Sequence, residues 1–163
     1  MNKQYSPEEL KEEIISFLKE HKDGSLATCM NNMPRSSPVQ YFLGDGLNIY
    51  ILSAGGEKFK AIRQNPNVCL LVNTEYINYR KIKGVQIFGK AITSLEDSQL
   101  LDEASRYCQE PWLINNEKGR LNAIKIVPEE IVYLNSLEEG DRTKQILKGN
   151  QVMVKEDRIP ALV

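Results

Sequence analysis

Between two apolar runs, Leu47–Leu52 and Val68–Val72, the chain reads Ser53-Ala54-Gly55-Gly56-Glu57-Lys58-Phe59-Lys60-Ala61-Ile62-Arg63-Gln64-Asn65-Pro66. Two glycines leave the backbone bare, and Lys58, Lys60 and Arg63 follow at near-helical spacing. Residues of these types suit the holding of an anion. The free N–H groups at a helix start carry partial positive charge, and a phosphate there gains about 0.3–1 kcal/mol from the helix alone. Ser53 would add a hydroxyl and Lys58 and Lys60 charge, while Glu57 competes for the same donors. The glycine-to-lysine spacing of a P-loop is missing, and no Gly-x-Gly-x-x-Gly occurs. On local grounds a phosphate cradle and a solvated turn leading into a surface helix both remain open.

A second unusual stretch is Pro34-Arg35-Ser36-Ser37-Pro38-Val39. Proline cannot donate to a sheet ladder, so Pro38 marks an edge or irregular strand whose neighbouring backbone groups are free for a ligand or simply guarded against pairing. Groups that react by themselves are scarce. The single histidine, His21, sits in the polar end of a helical segment, which suits a helix C-terminus better than catalysis. Cys29, Cys69 and Cys108 are odd in number and widely spaced, which fits neither a disulfide framework nor a zinc pattern. Free thiols and the lack of an apolar signal core at the N-terminus point to a reduced, cytoplasmic protein. The loop Tyr76 to Lys83, with two tyrosines and a run of basic residues, reads as a solvated loop or the lip of a pocket. A net charge of −1 argues against a nucleic-acid partner, and no apolar run approaches membrane-spanning length.

The elements that must position these residues are mostly short. Ser6-Pro7-Glu8-Glu9 is a capping box opening a helix over about 7–22, with Gly24 as its stop. Strands follow at Leu26–Met30, Ser36–Leu43 and Leu47–Leu52, separated by the turn signals Asn31–Pro34 and Gly44-Asp45-Gly46. A short helix over about 57–65 precedes strands at Val68–Val72 and Gly84–Thr93, where Gly89 predicts a bulge or a close backbone approach. Ser94–Asp97 reads as a second capping box, opening a helix over about 96–109, and Trp112 as a packing anchor. Ala123–Val127 is a sixth strand, with Ile131–Leu134 its continuation or partner, and Gln151–Val154 a possible edge strand. Glu138–Asp141 reads as a solvated turn. The pattern predicts a mainly β (α+β) chain: a six-stranded antiparallel barrel over about 24–134 with flanking helices, and a C-terminal extension over 135–163, all one domain.

Taken in order, Leu26-Ala27-Thr28, Pro34 to Tyr41, Ile49-Tyr50-Ile51, Lys58 with Asn65-Pro66-Asn67-Val68, and Val85 to Ala91 resemble the pyridoxamine 5′-phosphate oxidase-like family of flavin-binding split barrels, over about residues 8–134. The resemblance implies a split β-barrel of Greek-key type that pairs as a homodimer, with flavin mononucleotide (FMN) at the subunit interface. Ser37, Pro38, Val39 and Gln40 match the strand along the isoalloxazine ring. Ile51, Leu52 and Ser53 match the strand end near the flavin. Lys58 matches a basic residue on the phosphate, with Lys60 beside it, and Gln86 lies in a strand reaching the flavin from near the interface. The chain departs from the family where Glu57 replaces a common arginine and Leu52 a common serine or threonine. It also lacks the arginine- and histidine-bearing C-terminal segment that holds the vitamin-B6 phosphate, which argues against pyridoxamine phosphate oxidation. The implied activity is a flavin-dependent oxidoreductase on a small organic substrate. A flavin store or sensor without turnover, and a deazaflavin-dependent reductase, are the alternatives.

Overall fold

A computed structural model describes residues 3–117, 119–138 and 141–156. Helix α1, Pro7–Glu20, starts at the expected box: Ser6 Oγ accepts from Glu9 N at 3.2 Å and the Glu9 carboxylate from Ser6 N at 2.9 Å. Its apolar face, Leu10, Ile14, Phe17 and Leu18, is fully buried against the barrel, each side chain stabilising by about 1.5–3 kcal/mol. The helix stops at His21, whose backbone is extended and whose Nδ1 lies 2.8 Å from Phe17 O. Gly24 is therefore not the stop. It lies inside strand β1, Asp23–Met30, where an added Cβ would come 2.8 Å from Leu71 O.

Asn31 and Asn32, at φ 53° and 59°, make the two-residue turn into β2, Met33–Leu43, as mirror-image hairpin turns require. The Gly44–Gly46 signal forms the hairpin to β3, Ile49–Ser53, closed by Gly44 N donating to Asn48 O at 2.9 Å. Helix α2, Glu57–Gln64, leads into β4, Asn67–Asn73, and β5, Lys83–Thr93. Two short helices, α3 at Leu100–Ser105 and α4 at Pro111–Asn116, precede β6, Asn122–Asn135, and the hairpin β7, Lys144–Lys148, with β8, Gln151–Lys155.

All pairings are antiparallel, in the order β3-β2-β1-β4-β5-β6-β7-β8, and β3 also pairs with β6 from Ile49↔Ile126 to Ser53↔Asn122. Six strands thus close into a ring, while β7 and β8 extend from the far half of β6. Ile131–Leu134 is the continuation of β6 and not a separate strand. Gly89 marks the bulge: the register shifts between Phe88 and Gly89, and a Cβ at Gly89 would stand 2.3 Å from Val127 O. One core fills the ring, with Phe59 and Ile62 of α2 at one end and the face of α1 on its flank.

Two expectations fail locally. The helix over 96–109 shrinks to α3 because its proposed cap is used elsewhere: the Ser94 hydroxyl accepts from Ala123 N at 2.9 Å and lies 3.2 Å from Asn122 Oδ1. Trp112, expected as a packing anchor, is instead 57% exposed on α4, a helix with no buried residue. Of the C-terminal extension, 157–163 lies outside the described residues, as do Glu139 and Gly140 of the expected turn.

Candidate functional site

Strand β3 alternates strictly at its end. Ile49 and Ile51 enter the ring core, whereas Tyr50 and Leu52 turn outward against α3. Ser53 closes the strand, its hydroxyl 3.1 Å from Gly55 O and 3.4 Å from Gly55 N. The chain then turns through Gly56, whose φ of 112° only glycine adopts without strain. Gly56 is the N-cap of α2, and no side chain caps that helix. Lys58 folds back over the turn, its Nζ donating to Gly55 O at 2.7 Å, and burial pulls its ammonium below the usual lysine pKa. Lys60 is exposed and stands about 200° round the helix from Lys58, so the two cannot face one ligand group.

Strand β2 supplies the other wall. It pairs with β1 along Met33–Gln40, but with β3 only at Tyr41–Leu43. The edge of β2 from Met33 to Gln40 therefore faces the place where β3 has already turned into α2. Among the described residues no strand pairs with that edge. Ser37, Val39 and Ile51 thus stand on strands that flank a notch containing Ser53, Gly56 and Lys58. Val39 itself is buried in the core, and since Tyr41 N donates to Lys22 O the alternation of an antiparallel pair turns Val39's own N–H and C=O toward β1, leaving the free edge to its neighbours Pro38 and Gln40.

Pro38, Gln40 and Gln86 belong to a different surface, the outer face of the sheet. Register places Pro38 opposite Ser25, Ser25 opposite Leu71, and Leu71 opposite Gln86. Three strand spacings put Gln86 about 14 Å from Pro38 along one row. The adjacent row runs Ser36, Ala27, Cys69, Phe88. Between Pro38 and Gln86 the floor is small on β1, at Ser25 and Ala27, and larger on β4, at Leu71 and Cys69, an arrangement that sequence reasoning missed. Its significance appears only once the pairing is known. On β5 and β6 the same face is exposed and mixed: Phe88 is 41%, Ile92 38% and Val127 46% exposed, and their cross-strand neighbours are Glu130, Lys125 and Lys90 in turn.

A polar cluster that the sequence did not disclose fixes α3 on the outer side of β3 and β6. Tyr50 and Lys125 are cross-strand partners, and both reach Glu103 Oε1, Lys125 Nζ at 2.5 Å and Tyr50 by a short hydroxyl bond. The Lys125 ammonium, then the Tyr50 hydroxyl, holds the Glu103 carboxyl below the usual carboxylate range, and burial raises the Tyr50 phenol. Tyr107 stacks on Tyr50 at 5.5 Å and donates to Asp45 at 2.7 Å.

Reactive side chains remain scarce at the notch. His21 is committed to the end of α1. Burial pushes the Cys69 thiol up, away from thiolate. Among the described residues no cluster of His, Cys, Asp or Glu could hold a metal, and no helix is long and apolar enough to cross a membrane. Among the described residues the notch holds no nucleophile–base pair, and its groups are of the kinds that could hold and orient a ligand.

A closed antiparallel ring of six strands, split beside β2 and flanked by helices, is the split-barrel architecture of a known class. The chain belongs to the pyridoxamine 5′-phosphate oxidase family, whose model matches residues 10–135. It is 31% identical over 137 residues to general stress protein 26 of Bacillus subtilis, covering 83% of this chain and 94% of that protein. The crystal structure of general stress protein 26 from Bacillus anthracis superposes with a TM-score of 0.57 at 26% identity, over 76% of this chain and 92% of that one. An FAD-binding protein from Mesorhizobium loti shares the fold, with a TM-score of 0.57 at 22% identity over 73% of this chain and 89% of its own.

Proposed function

We propose that this protein binds flavin mononucleotide and works as a cytoplasmic flavin-dependent oxidoreductase on a small organic acceptor. The observation that carries the reading is the notch, where an unpaired strand edge meets an uncapped helix start and Lys58. A phosphate fits there because α2 presents free amides and a half-buried ammonium lies above them. Ser53 would donate to the same oxyanion. The Ser37–Gln40 segment, with its free backbone edge, would lie along the ring system, and Ile51 and Leu52 would set the strand end beneath it. Bound flavin would supply the electron transfer that no side chain here provides. The protein's own part is to hold the phosphate, orient the ring and exclude water. FAD binding by the Mesorhizobium loti fold neighbour is consistent with this reading.

We further propose a homodimer in which the second copy covers the floor between Pro38 and Gln86; the exposure of Phe88, Ile92 and Val127, interleaved with Lys90, Lys125 and Glu130 on the same face, supports it. A substrate other than pyridoxamine phosphate is assigned, since no histidine follows His21.

The visible spectrum of the purified protein is the test. A yellow protein that releases flavin mononucleotide on denaturation, and whose flavin is reduced by a nicotinamide cofactor and reoxidised with turnover, is expected. Bound flavin without turnover would reduce the reading to a storage or sensing module. A colourless protein that takes up no added flavin would overturn it.

A further inference from the structure

Strand β2 presents one arginine on the face that looks into the ring. Its residues alternate, and Val39 and Tyr41 enter the core. Ser37 and Arg35 share that face by the two-residue period of a strand, with Arg35 about 7 Å beyond Ser37. Helix α2 starts where β3 ends and packs against β1 and β5, so it crosses the end of the ring beside this face. The β2–β3 register, carried on from Tyr41↔Ile51, sets Val39 opposite Ser53 and the turn into α2 opposite Ser37. Arg35 is exposed at this mouth, and among the described residues its guanidinium has no hydrogen bond or ion pair. Glu57, in the first turn of α2, also lacks a side-chain partner, so no carboxylate holds Arg35.

A second observation points to the same place. Thr28 of β1 is the cross-strand partner of Arg35, as Leu26 is of Ser37. The pair belongs to the hydrogen-bonded set, with Cα atoms about 5.5 Å apart. Leu26 faces the core, so Thr28 lies on the inner side as well. Thr28 is 3% exposed, and its hydroxyl is the one buried side-chain oxygen among the described residues without a hydrogen-bond partner. Buried hydroxyls are nearly always paired, and an orphan one calls for a partner that arrives later. A guanidinium has five N–H donors in a planar fork, enough to grip an anion and still serve a neighbouring hydroxyl.

We propose that Arg35 is the second cation of the phosphate site: it folds inward over the notch, its fork on the phosphate oxygens and one N–H on the Thr28 hydroxyl, while Lys58 meets the same phosphate from α2. Thr28 is then a positioning residue. The inference deepens the flavin reading and rests on it, and it makes the phosphate the part of the ligand that the notch selects.

Fluorescence titration of the full chain, freed of flavin, with FMN and with riboflavin tests it. The parent should prefer FMN by about 100-fold, from two charge-assisted contacts of about tenfold each. Arg35→Ala should weaken FMN roughly tenfold and leave riboflavin within about twofold. Arg35→Lys keeps the charge without the fork and should recover only part of the loss. Thr28→Val should lower the preference for FMN by roughly threefold, although the flavin-free protein melts no lower than the parent, because an unpaired hydroxyl has been removed. Thr28→Ser should restore the preference. An unchanged preference in Arg35→Ala, or equal weakening of both flavins, would overturn the inference and leave the flavin reading intact. So would a parent that binds the two flavins equally. A parent that takes up neither would overturn both.

Discussion

Replacing Lys58 and Lys60 separately by alanine tests the notch, because the structure gives the two lysines opposite standing. Lys58 Nζ is bonded to Gly55 O at 2.7 Å over the uncapped start of α2, so a phosphate seated there would need only a short swing to meet it. A hydrogen bond from an ammonium to an anion contributes about 1.5–3 kcal/mol, and releasing the Gly55 carbonyl costs about 0.5–1.5 kcal/mol. The midpoints of these ranges differ by about 1.25 kcal/mol, which corresponds to a loss of roughly eightfold in flavin affinity for Lys58→Ala. Lys60 points to solvent from the other side of α2, where salt screens it, and Lys60→Ala should change affinity by no more than about twofold. Quenching of flavin fluorescence on titration of the apoprotein reads both numbers. Repeating it at high salt should shrink the Lys60 effect further and leave most of the Lys58 effect. Equal losses, or a larger loss for Lys60→Ala, would show that the phosphate does not sit at the α2 start.

Three other outcomes follow from the structure. Gly89→Ala drives a methyl to 2.3 Å from Val127 O, backbone that cannot swing aside, and should destabilise by about 1–3 kcal/mol, lowering Tm by roughly 3 °C per kcal/mol. Gly46→Ala has open space and only an unfavourable φ of 63°, so its thermal melt should shift less. Glu103 has its carboxyl depressed in the folded state, so its contribution is full above the ordinary carboxylate range and is lost as pH falls through its folded value; Glu103→Gln should flatten that acid limb in melts followed from pH 7 downward. Phe88→Glu places a charge on the open outer face and should yield a monomer by light scattering, with flavin retention falling in parallel.

Local signals were the legible ones. The Ser6 box, the Asn31-Asn32 turn, the Gly44–Gly46 hairpin and the boundaries of α2 all rest on interactions within a few residues, and sequence spacing displays those directly. Gly89 was legible as a bulge because a glycine amid β-formers has few other uses. Long-range pairing hid the rest. Nothing near Ser53 announces that it lies opposite Asn122, and without that pairing neither ring closure nor the free edge of β2 can be seen. Strand β7 escaped notice because Lys144–Lys148 is short and bounded by lysines; only its pairing with β6 makes it a strand. The Glu103 cluster joins three separate elements, and its members look like ordinary surface charges until β3 and β6 are placed side by side. Of the site candidates, Ser53 and Lys58 come together at the helix start, while Gln86 and Lys60 face elsewhere.

The composition of β2 explains how an open notch survives in a β-sheet protein. A bare strand edge is a template for another chain, and proteins usually cover or charge it. Here Val39 and Tyr41 anchor the strand through its inner side, 8% and 6% exposed, and the Tyr41 hydroxyl donates to Leu18 O at 2.8 Å. The edge cannot retreat into the core or drift away from it. Pro34 and Pro38 remove an N–H at two positions along the same segment, and Arg35 adds charge, so an incoming β-strand would meet a broken ladder. A flat ligand needs no continuous ladder. In the binding mode proposed above it would read individual carbonyls and amides and find its charge partner at the α2 start. The prolines that guard the edge would therefore also keep the notch available, so on the proposed binding mode the guard and ligand readings of Pro34–Val39 are compatible.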